Sequence, residues 1–162
     1  MLSEIVGTTA LWIGLAVAVV IALTSRPTPA RLIHAVRPAL VVLALQALHF
    51  GEEYATEFYR LFPQRLGLAP WSAEFFVVFN VTWILLWLLG IWAARAGRAP
   101  IYAAIVLWFL GIAAIANGIA HPILALLARG YFPGLITSPF LGVAGVFLLL
   151  ALVRTPRAAS RD

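Results

Sequence analysis

The 162-residue chain has no cysteine, no lysine, a single methionine and six acidic residues. Without cysteine there is no disulfide, no thiolate metal ligand and no thiol nucleophile. Any metal must therefore be held by imidazole, carboxylate, amide or backbone oxygen. Without lysine, eleven arginines supply all the basic side chains, for a net charge of +5. They do not interleave with aromatics as a basic patch, so nucleic acid is not an expected partner. Ten-residue stretches of alternating polar and apolar residues are also missing, which argues against a membrane β-barrel.

What is present is apolar: 64% of residues are hydrophobic and the mean hydropathy is +1.02. A soluble domain of this size has too little interior to hide that much apolar surface. The expected class is an all-α integral membrane protein, a bundle of five transmembrane helices. Residues 5–24 form the first span, with no positive side chain before it to mark a cleaved signal peptide. Residues 25–38, with Arg26, Arg31, Arg37 and three prolines, read as a loop in which His34 faces solvent or headgroups. Pro38 suits the first turn of a helix, and the second span runs from there to about Tyr59. Residues 60–71 read as a loop, with Glu57 and Arg60 as an interfacial ion pair. The third span starts at Ser72, an expected N-cap, and ends near Ala94. Its Trp83, Trp87 and Trp92 read as packing or lipid contacts. The fourth span runs from Pro100 to about Leu127, and the last from Tyr131 to about Val153.

This gives one five-helix domain over residues 1–154 and a disordered cytoplasmic tail over 155–162. Residues 25–38, 95–98 and the tail hold eight arginines, against three on the opposite side. That asymmetry puts the amino terminus outside and the carboxyl terminus inside a cytoplasmic (inner) membrane. Gly111, Gly142 and Gly145 permit close helix contacts, within the chain or in an oligomer.

Against this apolar background, His49-Phe50-Gly51-Glu52-Glu53 stands out. An ionisable residue within a span costs roughly 2.5–3.5 kcal/mol on insertion scales, so three in five residues need a partner. At 1.5 Å per residue, His49 and Glu53 lie ~16 and ~22 Å from Pro38, in the outer half of the bilayer. The span directions bring Asn80, Asn117, His121 and Tyr131 into the same half. The only two asparagines of the chain, and two of its three histidines, belong to this set. Offsets of three and four residues put His49, Glu52 and Glu53 on neighbouring parts of one helix surface, and Asn117 and His121 on one face of another.

Two imidazoles with a carboxylate and an open position are a common catalytic zinc arrangement; further carboxylate suits iron or manganese. The candidate ligands of a divalent metal, zinc first, are thus His49, Glu52, Glu53, Asn117 and His121. One glutamate would bind while the other serves as general base, and the spacing leaves open which. Glu52, Glu53 and Tyr131 are the candidate catalytic residues.

His49-Phe-Gly-Glu52-Glu53 also resembles the motif of a family of bacterial membrane proteins named for HXXEE. Asn117-Gly-Ile-Ala-His121 is similar to that family's NXXXH motif, and Tyr131-Phe-Pro-Gly134 to its YXPG motif. The three occur in the family's order, over roughly residues 40–140. The resemblance implies a polytopic membrane protein of unestablished activity, suspected to be an enzyme. It adds weight to Tyr131, Pro133 and Gly134, which on their own read as a turn with an interfacial aromatic.

Three functions follow as expectations. The first is a metal-dependent hydrolase acting on a lipid or other hydrophobic molecule that enters from the bilayer. The second is a metal-free acid–base isomerase of a sterol- or isoprenoid-like substrate. The third is a non-enzymatic membrane subunit or conduit. A conduit is disfavoured because the inner halves of the spans are nearly all apolar, with Gln46 the main exception near the middle.

Overall fold

The computed structural model describes residues 2–154. They form six α-helices and, among the described residues, no strand: α1 (Leu2–Ser25), α2 (Pro29–Ala55), α3 (Phe58–Arg65), α4 (Ala73–Arg95), α5 (Pro100–Ala128) and α6 (Ser138–Val153). Four of them, α1, α2, α4 and α5, are long and apolar enough to cross a membrane. The fifth apolar run is shorter than expected. Residues 131–137 form a non-helical turn, which leaves α6 with 16 residues, ~24 Å of rise against ~30 Å of hydrocarbon. The expected tail at 155–162 lies outside the described residues.

Two expected loops are helical. Residues 29–38 extend α2 toward its amino terminus, with Pro29 in the first helical turn and Pro38 inside the helix. Either proline suits a first turn. Pro38 costs one backbone hydrogen bond within the helix, a loss that membrane helices tolerate. His34 therefore lies on a helix, where it is exposed. α2 ends at Ala55 rather than Tyr59, because Glu57 adopts a left-handed conformation (φ 60°) that breaks the chain direction. α3 follows inside the expected 60–71 loop. Its Phe58 and Phe62 stack at 4.8 Å and meet Trp71 edge-on. Other boundaries agree with the sequence reading. The Ser72 side chain accepts the Phe75 amide at 3.0 Å as N-cap of α4, and Arg60 pairs with Glu57 at 3.0 Å on the surface. Ser72→Ala should lower stability by about 1 kcal/mol in thermal unfolding, the usual value of such a cap.

The core is built from small and aliphatic side chains of α1, α2, α4, α5 and α6, with Phe109 and Trp87 as its large members. α5 and α6 pack backbone to backbone where Gly118 meets Gly142: a Cβ on Gly118 would stand 2.6 Å from the Gly142 Cα. Trp87 is buried in this core, as a packing residue should be, whereas Trp92 is exposed with the Arg98 guanidinium 5.9 Å from its ring centroid. A second cluster, Phe58, Trp71, Phe76 and Phe132 with Ala125, caps the end of the bundle where α2 and α5 finish. That end carries the polar residues.

Candidate metal centre

Each polar side chain is placed by its helix position. On α2, Gln46, His49 and Glu53 follow one another at offsets of three and four, so they form one inward stripe. All three are buried, with His49 fully so. Glu52 is one residue earlier than Glu53, about 100° round the helix, and leaves that stripe. On α5, His121 points inward and is 2% exposed.

The two inward faces bring three donor atoms together. His49 Nε2 lies 3.2 Å from His121 Nε2, and Glu53 Oε1 lies 3.3 Å from His121 Nε2 and 3.6 Å from His49 Nε2. The imidazole rings stand nearly perpendicular, at 87°. Donors ~2.0–2.1 Å from a tetrahedral ion are separated from one another by roughly 3.3–3.4 Å. The triangle therefore has the size of one face of a zinc coordination shell.

The outer nitrogens fix the state of the inner ones. His121 Nδ1 is 2.6 Å from the Pro133 carbonyl oxygen, which can only accept, so Nδ1 carries a proton and, in the neutral ring, Nε2 keeps a lone pair. His49 Nδ1 is 2.7 Å from the Thr137 hydroxyl, whose single proton goes to Glu52 Oε2 at 2.6 Å. His49 Nδ1 is then the donor, and its Nε2 too is a lone pair. With both rings neutral, two lone pairs and a carboxylate oxygen face one another. A cation or a shared proton there would remove the repulsion, and the outer hydrogen bonds hold each imidazole in the tautomer that a metal ligand needs.

Glu52 anchors that outer layer. It accepts from the Tyr131 hydroxyl (2.7 Å), the Ile136 and Thr137 amides (3.0 and 2.9 Å) and the Thr137 hydroxyl (2.6 Å). Four donors and no competing acceptor are the surroundings of an ionised carboxylate. It also stands at the amino terminus of α6, where the helix dipole favours negative charge. The Tyr131 phenol is pushed above its ordinary range, by desolvation first and then by its donation to Glu52. It is therefore a donor at neutral pH.

The turn between α5 and α6 closes the site. Gly134 has φ 85°, and a Cβ there would collide with the His121 ring and stand 2.8 Å from His49 Cε1. Only glycine leaves room for both imidazoles under this turn. On the other side, the Phe58 ring lies 5.3 Å from that of His121.

Of the residues singled out from sequence, His49, Glu53 and His121 thus meet at one point. Glu52 and Tyr131 bind each other next to it. Asn117 and Asn80 belong to neither group. They line a cavity of about 170 Å³ between α1, α2, α3, α4 and α5, which also reaches Glu53 and His121. Asn80 donates to the Phe76 carbonyl of its own helix at 2.9 Å. The pattern did not single out Thr137 or Phe58. The available signal for Phe58 was its i, i+4 pairing with Phe62. Thr137 offered none beyond its place just ahead of the Ser138-Pro139 helix start.

A family model described as "Protein of unknown function with HXXEE motif" matches residues 40–149. The matched segment runs from within α2 into α6 and contains every residue of the donor triangle and of the Glu52 network. No curated protein and no solved structure matches the chain significantly.

Proposed function

The chain belongs to this family of HXXEE-motif proteins, and we propose that His49, Glu53 and His121 hold a divalent metal in a membrane enzyme of hydrolase type. The observation that carries this reading is the donor triangle, with both imidazoles tautomerically fixed to present lone pairs. Two imidazoles and one carboxylate favour zinc; iron and manganese are the next candidates. When bound, such an ion supplies Lewis acidity and lowers the pKa of a coordinated water. The chain's own residues do the rest. Glu53 offers Oε1 to the triangle, and its second oxygen is free to take a proton. Glu52 orients His49 through Thr137 and is itself fully occupied, so it acts as a positioning residue, and Tyr131 holds Glu52. Asn117 and Asn80, which line the cavity, would donate to a substrate carbonyl.

The substrate is read as a lipid or another hydrophobic molecule, since four of the five helices around the cavity are able to cross a bilayer. In this reading α6 crosses as a fifth, shorter span, the amino terminus is outside, and the site lies in the outer half of the inner membrane. A metal-free acid–base centre is the second reading. What favours it is the 3.2 Å separation of the two Nε2 atoms, short enough to share one proton.

The two part in one experiment. Protein in liposomes is stripped with a chelator and assayed on fluorogenic esters of short-chain glycerides, with and without added zinc. Hydrolysis that zinc restores, and that His121→Ala lacks while remaining helical by circular dichroism, supports the metal enzyme. Hydrolysis indifferent to chelator overturns it.

A further inference from the structure

The cavity beside the triangle has a polar end and an apolar end. At the polar end lie Glu53, His121 and Asn117, with the Phe58 ring 5.3 Å from that of His121. At the apolar end Phe109 meets Trp83 and Trp87, their ring centroids 4.7 and 5.7 Å away. Along the axis of α5, Phe109 lies ~12 Å from Asn117 and ~18 Å from His121; along α4, Phe76 and Trp87 are ~16 Å apart. The space is therefore drawn out along the helices. Its volume, about 170 Å³, is close to that of a compact engineered cavity of ~150 Å³ that takes up benzene. The same volume spread over this length is one chain wide, with no place for a fused-ring skeleton.

The lining specifies the occupant's chemistry. Asn117 is half-buried and its side chain makes no hydrogen bond to another described residue, yet neither of its amide atoms is sealed off. It stands one helical turn from His121 on the same face of α5. Its N–H₂ group can donate to a carbonyl oxygen. From there to Phe109 the walls are apolar, with Leu11, Phe79, Trp83 and Ala113. No arginine lines the cavity, and its ionisable residues are Glu53 and His121. A free carboxylate or phosphate would find no countercharge there and would face Glu53. Ala10 of α1 and Ala116 and Ala120 of α5 line the cavity and are also exposed. The rim thus lies between two helices able to cross a bilayer, where a chain enters sideways without crossing water.

We infer that this cavity is a sleeve for one linear, uncharged acyl chain of short to medium length. Asn117 holds the carbonyl beside the donor triangle, and the methyl end rests against Trp83, Trp87 and Phe109. The inference rests on the proposed hydrolase only for what happens at the carbonyl; the sleeve stands on the shape and lining of the cavity. Esters and amides of linear chains are selected, and sterols and free fatty acids are excluded.

Photolabelling of the full-length protein in phosphatidylcholine liposomes tests this. The probe is the ethanolamide of octanoic acid with a diazirine next to its terminal methyl group. Irradiation should label Trp87, Phe109 or Ala113, which are buried and out of reach of bulk lipid. An excess of plain octanoyl ethanolamide should remove that label, whereas cholesterol or octanoate should leave it. Asn117→Leu should lower it about fivefold, the value of one hydrogen bond. Ala113→Phe fills the sleeve and should lose the label. Ala116→Phe narrows the exposed rim, should lower the label as well, and serves where Ala113→Phe does not fold. Label confined to exposed residues, equal competition by cholesterol or octanoate, or labelling untouched by both phenylalanine substitutions would overturn the inference. The measurement is made with and without zinc. Label in the sleeve of a protein unable to bind zinc refutes the metal centre alone, and zinc binding without that label refutes the sleeve alone.

Discussion

Gly134→Ala is expected to destabilise the protein by about 2–5 kcal/mol and to abolish metal binding. The added methyl group meets two obstacles at once. The backbone at φ 85° is a conformation that L-residues adopt only with strain, worth roughly 1–2 kcal/mol. The Cβ also falls on the His121 ring and against His49 Cε1, and overpacking of a filled core costs a further 1–3 kcal/mol or so. Neither imidazole can withdraw, because each is tethered at Nδ1, to Pro133 and to Thr137. The methyl group must therefore spread the donor triangle. Thermal unfolding and metal content, measured on the same preparation, check both halves. Gly130→Ala, just ahead of that turn and with open space around its Cβ position, serves as the control and should leave metal content unchanged.

The second large effect separates two adjacent glutamates. Glu52→Gln should cost about 2–4 kcal/mol of stability, because the new amide N–H₂ must face two of the four donors that now converge on the carboxylate. Metal affinity should fall by roughly 10–100-fold, the usual consequence of disturbing a ligand's outer partner. Glu53→Gln should do the reverse. It leaves the turn intact, costs little stability and removes the only carboxylate oxygen of the triangle. Unfolding curves and zinc titrations of the two variants decide between these roles. If Glu52→Gln were as stable as wild type yet unable to bind metal, Glu52 would be a ligand and the assignment would be reversed.

These two glutamates also mark where sequence reading runs out. The helical period gives the angle between residues 52 and 53, but not which neighbour waits at each angle. That neighbour is set by the 131–137 turn, whose path depends on Gly134 and on Glu52 itself. The convergence of His49, Glu53 and His121 was legible because span length and direction place both helix segments at one depth, and apolar surroundings force their polar side chains inward. Asn117 shares a face with His121, yet a residue one turn away can line the neighbouring cavity without reaching the donors. α3 was hidden for a different reason. Residues 58–65 contain Pro63 and two arginines, and the helix is held by aromatic contacts with Trp71 and His121 from elsewhere in the chain. The early start of α2 was ambiguous because Pro29 and Pro38 both suit a first turn.

The three motifs acquire physical roles in this light. HXXEE supplies His49 and Glu53 to the triangle, and Glu52 to the turn. NXXXH supplies His121 to the triangle and Asn117 to the cavity. In YXPG, Tyr131 binds Glu52, the Pro133 carbonyl orients His121, and Gly134 makes space for both rings. The motifs are parts of one interlocked structure.

The central claim is that His49, Glu53 and His121 enclose a metal ion. Elemental analysis of detergent-purified wild type and of His121→Ala, in parallel, tests it most directly. The account predicts close to one zinc, iron or manganese per wild-type chain and loss of that metal in a variant that retains its helical content. A wild-type protein that carries no metal and takes up none on dialysis against zinc, or a His121→Ala variant that keeps it, would contradict the account.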